Sequence, residues 1–173
     1  MLTLAIFFHE MGHAWGHYVQ GVPVKRVVIY GGGGFVEGTR SADRRQEEFI
    51  VAMGPLVNLM LWAVCGLIAQ NIPTGLAASL LGYFSLLNLL LFGFNMMPVQ
   101  PLDGGKLLHL VLKRFVKPIT ALKWTGAVGL VFSVLWFPAM LFLILTFGWF
   151  LLFFPSIRLH WEMYKAGGGR GFR

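Results

Sequence analysis

Five segments of this 173-residue chain are mostly apolar over a length that matches a lipid bilayer, residues 2–20, 46–70, 74–97, 118–136 and 139–155. A helix needs about 20 such residues to cross ~30 Å of hydrocarbon. The run Gln70-Asn71-Ile72-Pro73 ends the second segment. Asn95-Met96-Met97-Pro98-Val99-Gln100-Pro101 interrupts the third, which is expected to resume as a helix from Gly105 to Phe115. Pro138 is expected to form a tight reversal between the fourth and fifth. The residues are 57% hydrophobic and 12% charged, against about 25% charged in ordinary soluble domains. A chain this short cannot bury so much apolar surface in one aqueous core. The expected fold is an all-α polytopic membrane protein: about five transmembrane helices, the third broken, and a small β-hairpin after the first. Residues 1–155 read as a single transmembrane domain, and 156–173 as a partly disordered cytoplasmic tail.

The 14 Lys and Arg residues fall in three clusters. Lys25, Arg26, Arg40, Arg44 and Arg45 follow the first segment; Lys106, Lys113, Arg114, Lys117 and Lys123 lie between the third and fourth; Arg158, Lys165, Arg170 and Arg173 follow the fifth. The loops near 71–74 and 137–138 carry none. Because Lys and Arg favour the cytoplasmic side, the N-terminus is expected outside and the C-terminus inside. The net charge of +7 therefore reads as juxtamembrane anchoring rather than nucleic-acid binding. Lys123 would snorkel from within its span, and Trp136, Trp149 and Trp161 would sit at the interface. The single cysteine, Cys65, excludes an internal disulfide and a cysteine metal cage. The first segment has no basic leader or small-residue cleavage site, so it is not read as a signal peptide.

Val27-Val28-Ile29-Tyr30 and Phe35-Val36-Glu37 flank Gly31 to Gly34 and read as two short strands around a glycine turn. The glycines do not open a helix in G-x-G-x-x-G spacing, which argues against a phosphate loop. The tail Gly167-Gly168-Gly169-Arg170-Gly171 reads as disordered.

The first segment contains His9-Glu10-Met11-Gly12-His13, an H-E-x-x-H pattern. Residues four apart share a helix face, so two imidazoles can share one zinc ion while the glutamate serves as general base. Random placement at this composition gives roughly 0.004 matches per chain, so chance is a poor explanation. Three ionisable groups within one span each cost ~2.5–3.5 kcal/mol or more on insertion, which marks function. The bland reading is a polar cluster that glues helices together. Gly12 and Gly16 form G-x-x-x-G, a close-packing signal. His17 lies one turn further along and reads as interfacial or supporting. Glu47 and Glu48 suit the positive N-terminal end of the second helix.

A catalytic zinc takes three protein ligands and an open position. Besides Glu10, and apart from Glu47 and Glu48 at the very start of the second segment, the carboxylate in a span or helix break is Asp103, within Pro98-Val99-Gln100-Pro101-Leu102-Asp103-Gly104-Gly105. Irregular backbone at membrane depth is tolerated only inside protein or beside a cavity, so the break can deliver Asp103 to a buried site. Otherwise Asp103 simply caps the following helix. The unfilled ligand position favours the metal.

These residues resemble the site-2 proteases, zinc metalloproteases that cut within the membrane. The resemblance rests on His9-Glu10-x-x-His13, on Gly54-Pro55-Leu56-Val57-Asn58 and on Asn95-x-x-Pro98-x-x-Pro101-Leu102-Asp103-Gly104-Gly105, in that order along residues 2 to about 115. It implies His9, His13 and Asp103 as ligands of one Zn2+ and Glu10 as catalytic base. It also implies Asn95 as an aid to the oxyanion or to substrate, and Asn58 as the family's intramembrane asparagine, a candidate substrate contact. No PDZ-type insert or nucleotide-sensing domain is visible, so a compact form is expected, in a prokaryotic plasma membrane.

The function expected is hydrolysis of a peptide bond in or near a transmembrane segment of a membrane-protein substrate. The strand segment, Phe35 and Val36 included, would take the unwound substrate as an added strand; a solvated loop is the alternative. A proteolytically silent metal-binding adaptor stays open, as does, less favoured, a transporter built on broken helices.

Overall fold

A computed structural model of the chain describes residues 1–30, 33–148 and 153–166. In chain order the elements are α1 (Leu2–Val19), β1 (Val24–Tyr30), β2 (Gly33–Gly38), α2 (Arg44–Asn71), α3 (Leu76–Asn95), α4 (Asp103–Phe115), α5 (Pro118–Phe147) and α6 (Ile157–Ala166). They form two compact units, Met1–Met96 and Met97–Arg173.

In the first unit, α1 lies against α2 at the two glycines expected to allow close approach. A Cβ on Gly12 would stand 2.6 Å from Met53 O, and one on Gly16 would stand 3.0 Å from Ile50 Cα. Without those side chains the backbones meet, and dispersion between them replaces a hydrophobic drive that lipid does not provide. Asp43 starts α2 through a capping box: its side chain accepts from Gln46 N at 2.9 Å, and Gln46 Oε1 accepts from Asp43 N at 3.0 Å. The helix ends at Ile72, whose extended backbone (φ −106°, ψ 157°) is what a residue before Pro73 prefers. Pro55 lies inside α2 without ending it. Ser85 Oγ on α3 donates to Trp62 O on α2 at 2.7 Å.

The two strands pair antiparallel, with Val27 opposite Val36 and Val28 opposite Phe35. This bears out the hairpin; its turn residues Gly31 and Gly32 lie outside the described residues. Across the two strands, Lys25 and Arg26 donate to Glu37 at 2.9 and 2.6 Å. The far end of β2 rests on α1, where a Cβ on Gly38 would be 3.0 Å from His17 Cε1. His17 is buried there, supporting the hairpin as a packing residue.

In the second unit, α4 begins at Asp103 and α5 follows after Lys117. The expected reversal at Pro138 does not occur: α5 continues through it to Phe147. A proline in a helix forfeits one backbone hydrogen bond, whereas a reversal in apolar surroundings would free several with no water to receive them. The expected fifth helix over 139–155 is corrected accordingly. Its first part belongs to α5, and Gly148 and residues 153–155 are not helical. Trp136 Nε1 donates to Phe153 O at 2.8 Å, and α6 packs on α5 where a Cβ on Gly126 would be 2.5 Å from Tyr164 N. The segment expected to be a tail thus holds a ten-residue helix. Lys123 Nζ lies 5.3 Å from the centre of the Tyr164 ring of α6. Trp149 and the glycine-rich tail lie outside the described residues.

Among the described residues, three helices are long and apolar enough to cross a membrane: α2, α3 and α5. The protein is mostly helical with a two-stranded sheet.

Candidate metal centre

The site is built on the α1 face turned toward α2. His9, Glu10 and His13 are all buried. One helical turn separates the two histidines, and their ring centres lie 4.7 Å apart, edge to face. Gly54 of α2 makes room for this: a Cβ there would collide with the His13 ring. The glycine of Gly54-Pro55-Leu56-Val57-Asn58 is therefore a space for an imidazole.

The hydrogen bonds fix which nitrogen of each ring carries the proton. His13 Nδ1 lies 2.9 Å from Ile50 O. A carbonyl only accepts, so Nδ1 donates. His9 Nδ1 lies 2.6 Å from Asn58 Oδ1. The amide of Asn58 is oriented by its other end, because Nδ2 donates to Asn88 Oδ1 at 2.8 Å and to Ala5 O at 3.3 Å. Asn88 is held in turn by Nδ2 donating to Phe84 O at 2.8 Å. Oδ1 of Asn58 must therefore accept, and His9 Nδ1 donates. With Nδ1 committed on both rings, the two Nε2 atoms face each other, 3.2 Å apart.

Two imidazole nitrogens held this close on one helix face can share a cation between them. The separation suits the ion: tetrahedral zinc with Zn–N bonds of ~2.0–2.1 Å places its nitrogens about 3.3 Å apart. Oxygen acceptors behind both rings also match the usual support of zinc-bound histidine. The donor set fits a zinc ion.

Asn58 and Asn88 are buried completely. Asn58 was expected as a substrate contact; in the structure its amide bonds to His9, Asn88 and Ala5, inside the protein. Asn88 was missed. Its only sequence signal is an asparagine deep within an apolar helix, where an unsatisfied amide would be costly.

Glu10 faces the hairpin. A Cβ on Gly34 would stand 2.6 Å from Glu10 Cγ and 2.8 Å from Cδ. Strand β2 therefore passes directly over the side chain expected to act as base, and glycine at 34 is what allows it. Phe35 is exposed and Val36 partly so, with the Arg26 guanidinium 5.5 Å from the centre of the Phe35 ring. Asn95 is the last residue of α3, and its Nδ2 donates to Leu91 O at 3.0 Å. In this rotamer the amide is folded onto its own helix.

In the second unit, Asp103 is the first residue of α4 and is buried. Its Oδ1 lies 3.3 Å from Lys106 Nζ, one turn along. It does not cap α4, since Leu102 occupies the N-cap position. The preceding turn is closed by Leu102 N donating to Val99 O at 2.9 Å. Glu47 lies in the first turn of α2, and Glu48 Oε1 lies 3.8 Å from Arg44 Nε.

A helix presenting two facing imidazole nitrogens and a buried glutamate, under a strand and against an apolar helix, defines a metallopeptidase-type centre. The sequence profile of peptidase family M50 matches residues 1–78 and 64–138. The chain belongs to peptidase family M50, a family of zinc-dependent proteases, and the resemblance to site-2 proteases is borne out. It is 29% identical over 130 residues to Zinc metalloprotease MJ0392 of Methanocaldococcus jannaschii, covering 75% of this chain and 38% of that protein. It is 32% identical over 115 residues to Stage IV sporulation protein FB of Bacillus subtilis, covering 65% of this chain and 39% of that one. The chain thus spans well under half the length of these curated relatives. Among solved structures it is similar to a site-2 protease from Methanocaldococcus jannaschii, with a TM-score of 0.64 and 25% identity over 96% of this chain and 74% of that one.

Proposed function

We propose that this chain is the catalytic core of an intramembrane zinc endopeptidase, hydrolysing a peptide bond in or near a transmembrane segment of a membrane-protein substrate. The observation that carries the reading is the pair of Nε2 atoms 3.2 Å apart, each ring fixed by a buried acceptor on its Nδ1 side.

His9 and His13 would hold one zinc ion, with Asp103 as the third ligand. Supporting Asp103 are its burial at the start of α4, its place in the Pro98-to-Gly105 break and the family pattern. When bound, zinc supplies Lewis acidity, which polarises a carbonyl and acidifies water. Glu10, buried beside the histidines, takes the proton from the attacking water and passes it to the leaving amine. Asn95 would donate to the oxyanion after its amide turns away from Leu91 O.

A helical substrate hides its carbonyls in its own hydrogen bonds and must unwind before attack. Lipid cannot satisfy the amides this frees. Strand β2 can, by pairing with the unwound segment near Phe35 and Val36; its passage over Glu10 supports this. Proline or lysine at Phe35 and Val36 then lowers cleavage, and unchanged cleavage identifies a solvated loop. The remaining apolar stretches, α1 included, would complete the membrane domain, with the N-terminus outside and the C-terminus cytoplasmic in a prokaryotic plasma membrane. Its partners are the bilayer and the protein substrate, without nucleic acid.

The test is cleavage of a transmembrane test substrate in detergent by the zinc-loaded chain and its Glu10→Gln variant. The parent cuts, and the variant keeps zinc but loses about 10²–10⁴-fold in rate. Equal cutting by both removes Glu10 as base; a zinc-loaded parent that cuts no such substrate is the silent adaptor instead.

A further inference from the structure

His160 on α6 is buried completely, yet no step of the proposed hydrolysis uses it. Its ring is enclosed by α5, where a Cβ on Gly129 would collide with it. Nδ1 lies 2.8 Å from Ser156 O, a carbonyl, so this nitrogen carries the proton. Ser133 Oγ stands 3.2 Å from the same nitrogen and gives its own hydrogen to Gly129 O at 2.7 Å, so it too receives from Nδ1. That leaves Nε2 as a bare acceptor, and it receives the backbone N–H of Gln100 at 3.1 Å.

Gln100 lies three residues before Asp103, in a turn flanked by Pro98 and Pro101. The turn has few hydrogen bonds of its own: Val99 N donates to Met97 O at 2.8 Å, and Leu102 N donates to Val99 O at 2.9 Å. On one side it rests on Gly105, where a Cβ would stand 2.6 Å from Val99 C and 2.7 Å from Gln100 N. On the other it is tied to His160. The backbone that leads into Asp103 is thus gripped between a glycine of α4 and an imidazole of α6.

We infer that His160 is a positioning residue for Asp103: its neutral ring, oriented by Ser133 and Ser156, fixes the Val99–Gln100 turn and through it the carboxylate. The inference rests on Asp103 being a metal ligand. A flexible turn would cost the site the entropy of ordering that ligand on each binding event. Locking the turn from outside the metal's own ligands removes that cost.

Substitutions that separate the two ring nitrogens test this in the full chain in detergent. His160→Gln keeps an acceptor near the Nε2 position; His160→Asn keeps a donor near Nδ1 but cannot reach Gln100. Hydrogen exchange of the Gln100 amide, read in the segment 97–105, is the direct readout, and zinc affinity by chelator competition is the second. His160→Asn raises Gln100 exchange roughly tenfold and weakens zinc binding about 3–10-fold, less than the loss of a group touching a ligand. His160→Gln restores most of both. Ser133→Ala, which loosens only the far edge of the ring, raises the same exchange by a smaller factor.

Unchanged Gln100 exchange in His160→Asn overturns the proposal. So does equal loss in the Asn and Gln variants, which would mark plain packing between α5 and α6. Asp103→Asn, measured in parallel, separates this outcome from the reading beneath it. If that variant keeps its zinc affinity, the ligand assignment has failed, and His160 holds the turn without serving the metal.

Discussion

Asn58 Oδ1 accepts from His9 Nδ1 at 2.6 Å, across two helices that the sequence separates by 49 positions. The bond decides the His9 tautomer, and with it whether the ring can bind a cation at all. Replacing Asn58 with alanine is expected to weaken zinc affinity about 10–100-fold. It also leaves the buried Asn88 Oδ1 without its Asn58 donor, at a stability cost of about 1–3 kcal/mol. Chelator competition and denaturant unfolding measure the two separately. Asn88→Ala, one bond further out, should cost less zinc affinity than Asn58→Ala.

Gly54 tests the space left for His13. In Gly54→Ala the methyl group meets the imidazole, so the ring must leave Ile50 O or the helices must part. Overpacking of this kind costs about 1–3 kcal/mol. Zinc content should fall with it. A fully loaded, equally stable Gly54→Ala protein would show that the ring tolerates another position.

Gly34 tests the proposed role of Glu10 apart from zinc binding. A methyl group there would press on Glu10 Cγ and Cδ, not on either imidazole. Gly34→Ala should therefore cut poorly while retaining zinc at parental affinity. Loss of zinc would mean that the hairpin braces the whole centre.

Acid loosens the hairpin late. Hydrogen bonds from Lys25, then Arg26, hold the Glu37 carboxyl below its ordinary value. A carboxylate whose folded-state pKa is depressed contributes stability that is present above its ordinary pKa and lost as pH falls through the lowered one. Amide protection in β1 and β2, corrected for intrinsic exchange, should thus hold through the ordinary carboxylate range and drop only below it. The effect is small because the pair is solvent-facing. Glu37→Gln should abolish this pH dependence.

Much of the site was legible because its chemistry is local. His9, Glu10 and His13 share one helix, so spacing alone put both imidazoles on one face. Gly12 and Gly16 announced the α1–α2 contact, and two short β-branched and aromatic runs around glycines announced the hairpin. What sequence could not give was partnership across helices. Asn58 read as a possible substrate contact because nothing in its own segment shows that Asn88 and Ala5 hold it from the other side. Nothing in the segment around His160 shows its partners on α5 and at Gln100 either. Pro138 misled because turn chemistry learned in water does not carry over to a helix in apolar surroundings, where one lost hydrogen bond is the smaller penalty.

The central claim is a zinc ion held by two imidazoles and a carboxylate, and X-ray absorption on the zinc-loaded protein tests it most directly. The account predicts one zinc per chain, with two imidazole nitrogens at ~2.0–2.1 Å, oxygen neighbours at ~2.0–2.2 Å and no sulfur. His13→Ala should remove one imidazole from that spectrum or abolish binding. A chain that takes up no zinc, or a spectrum unchanged in His13→Ala, would contradict it.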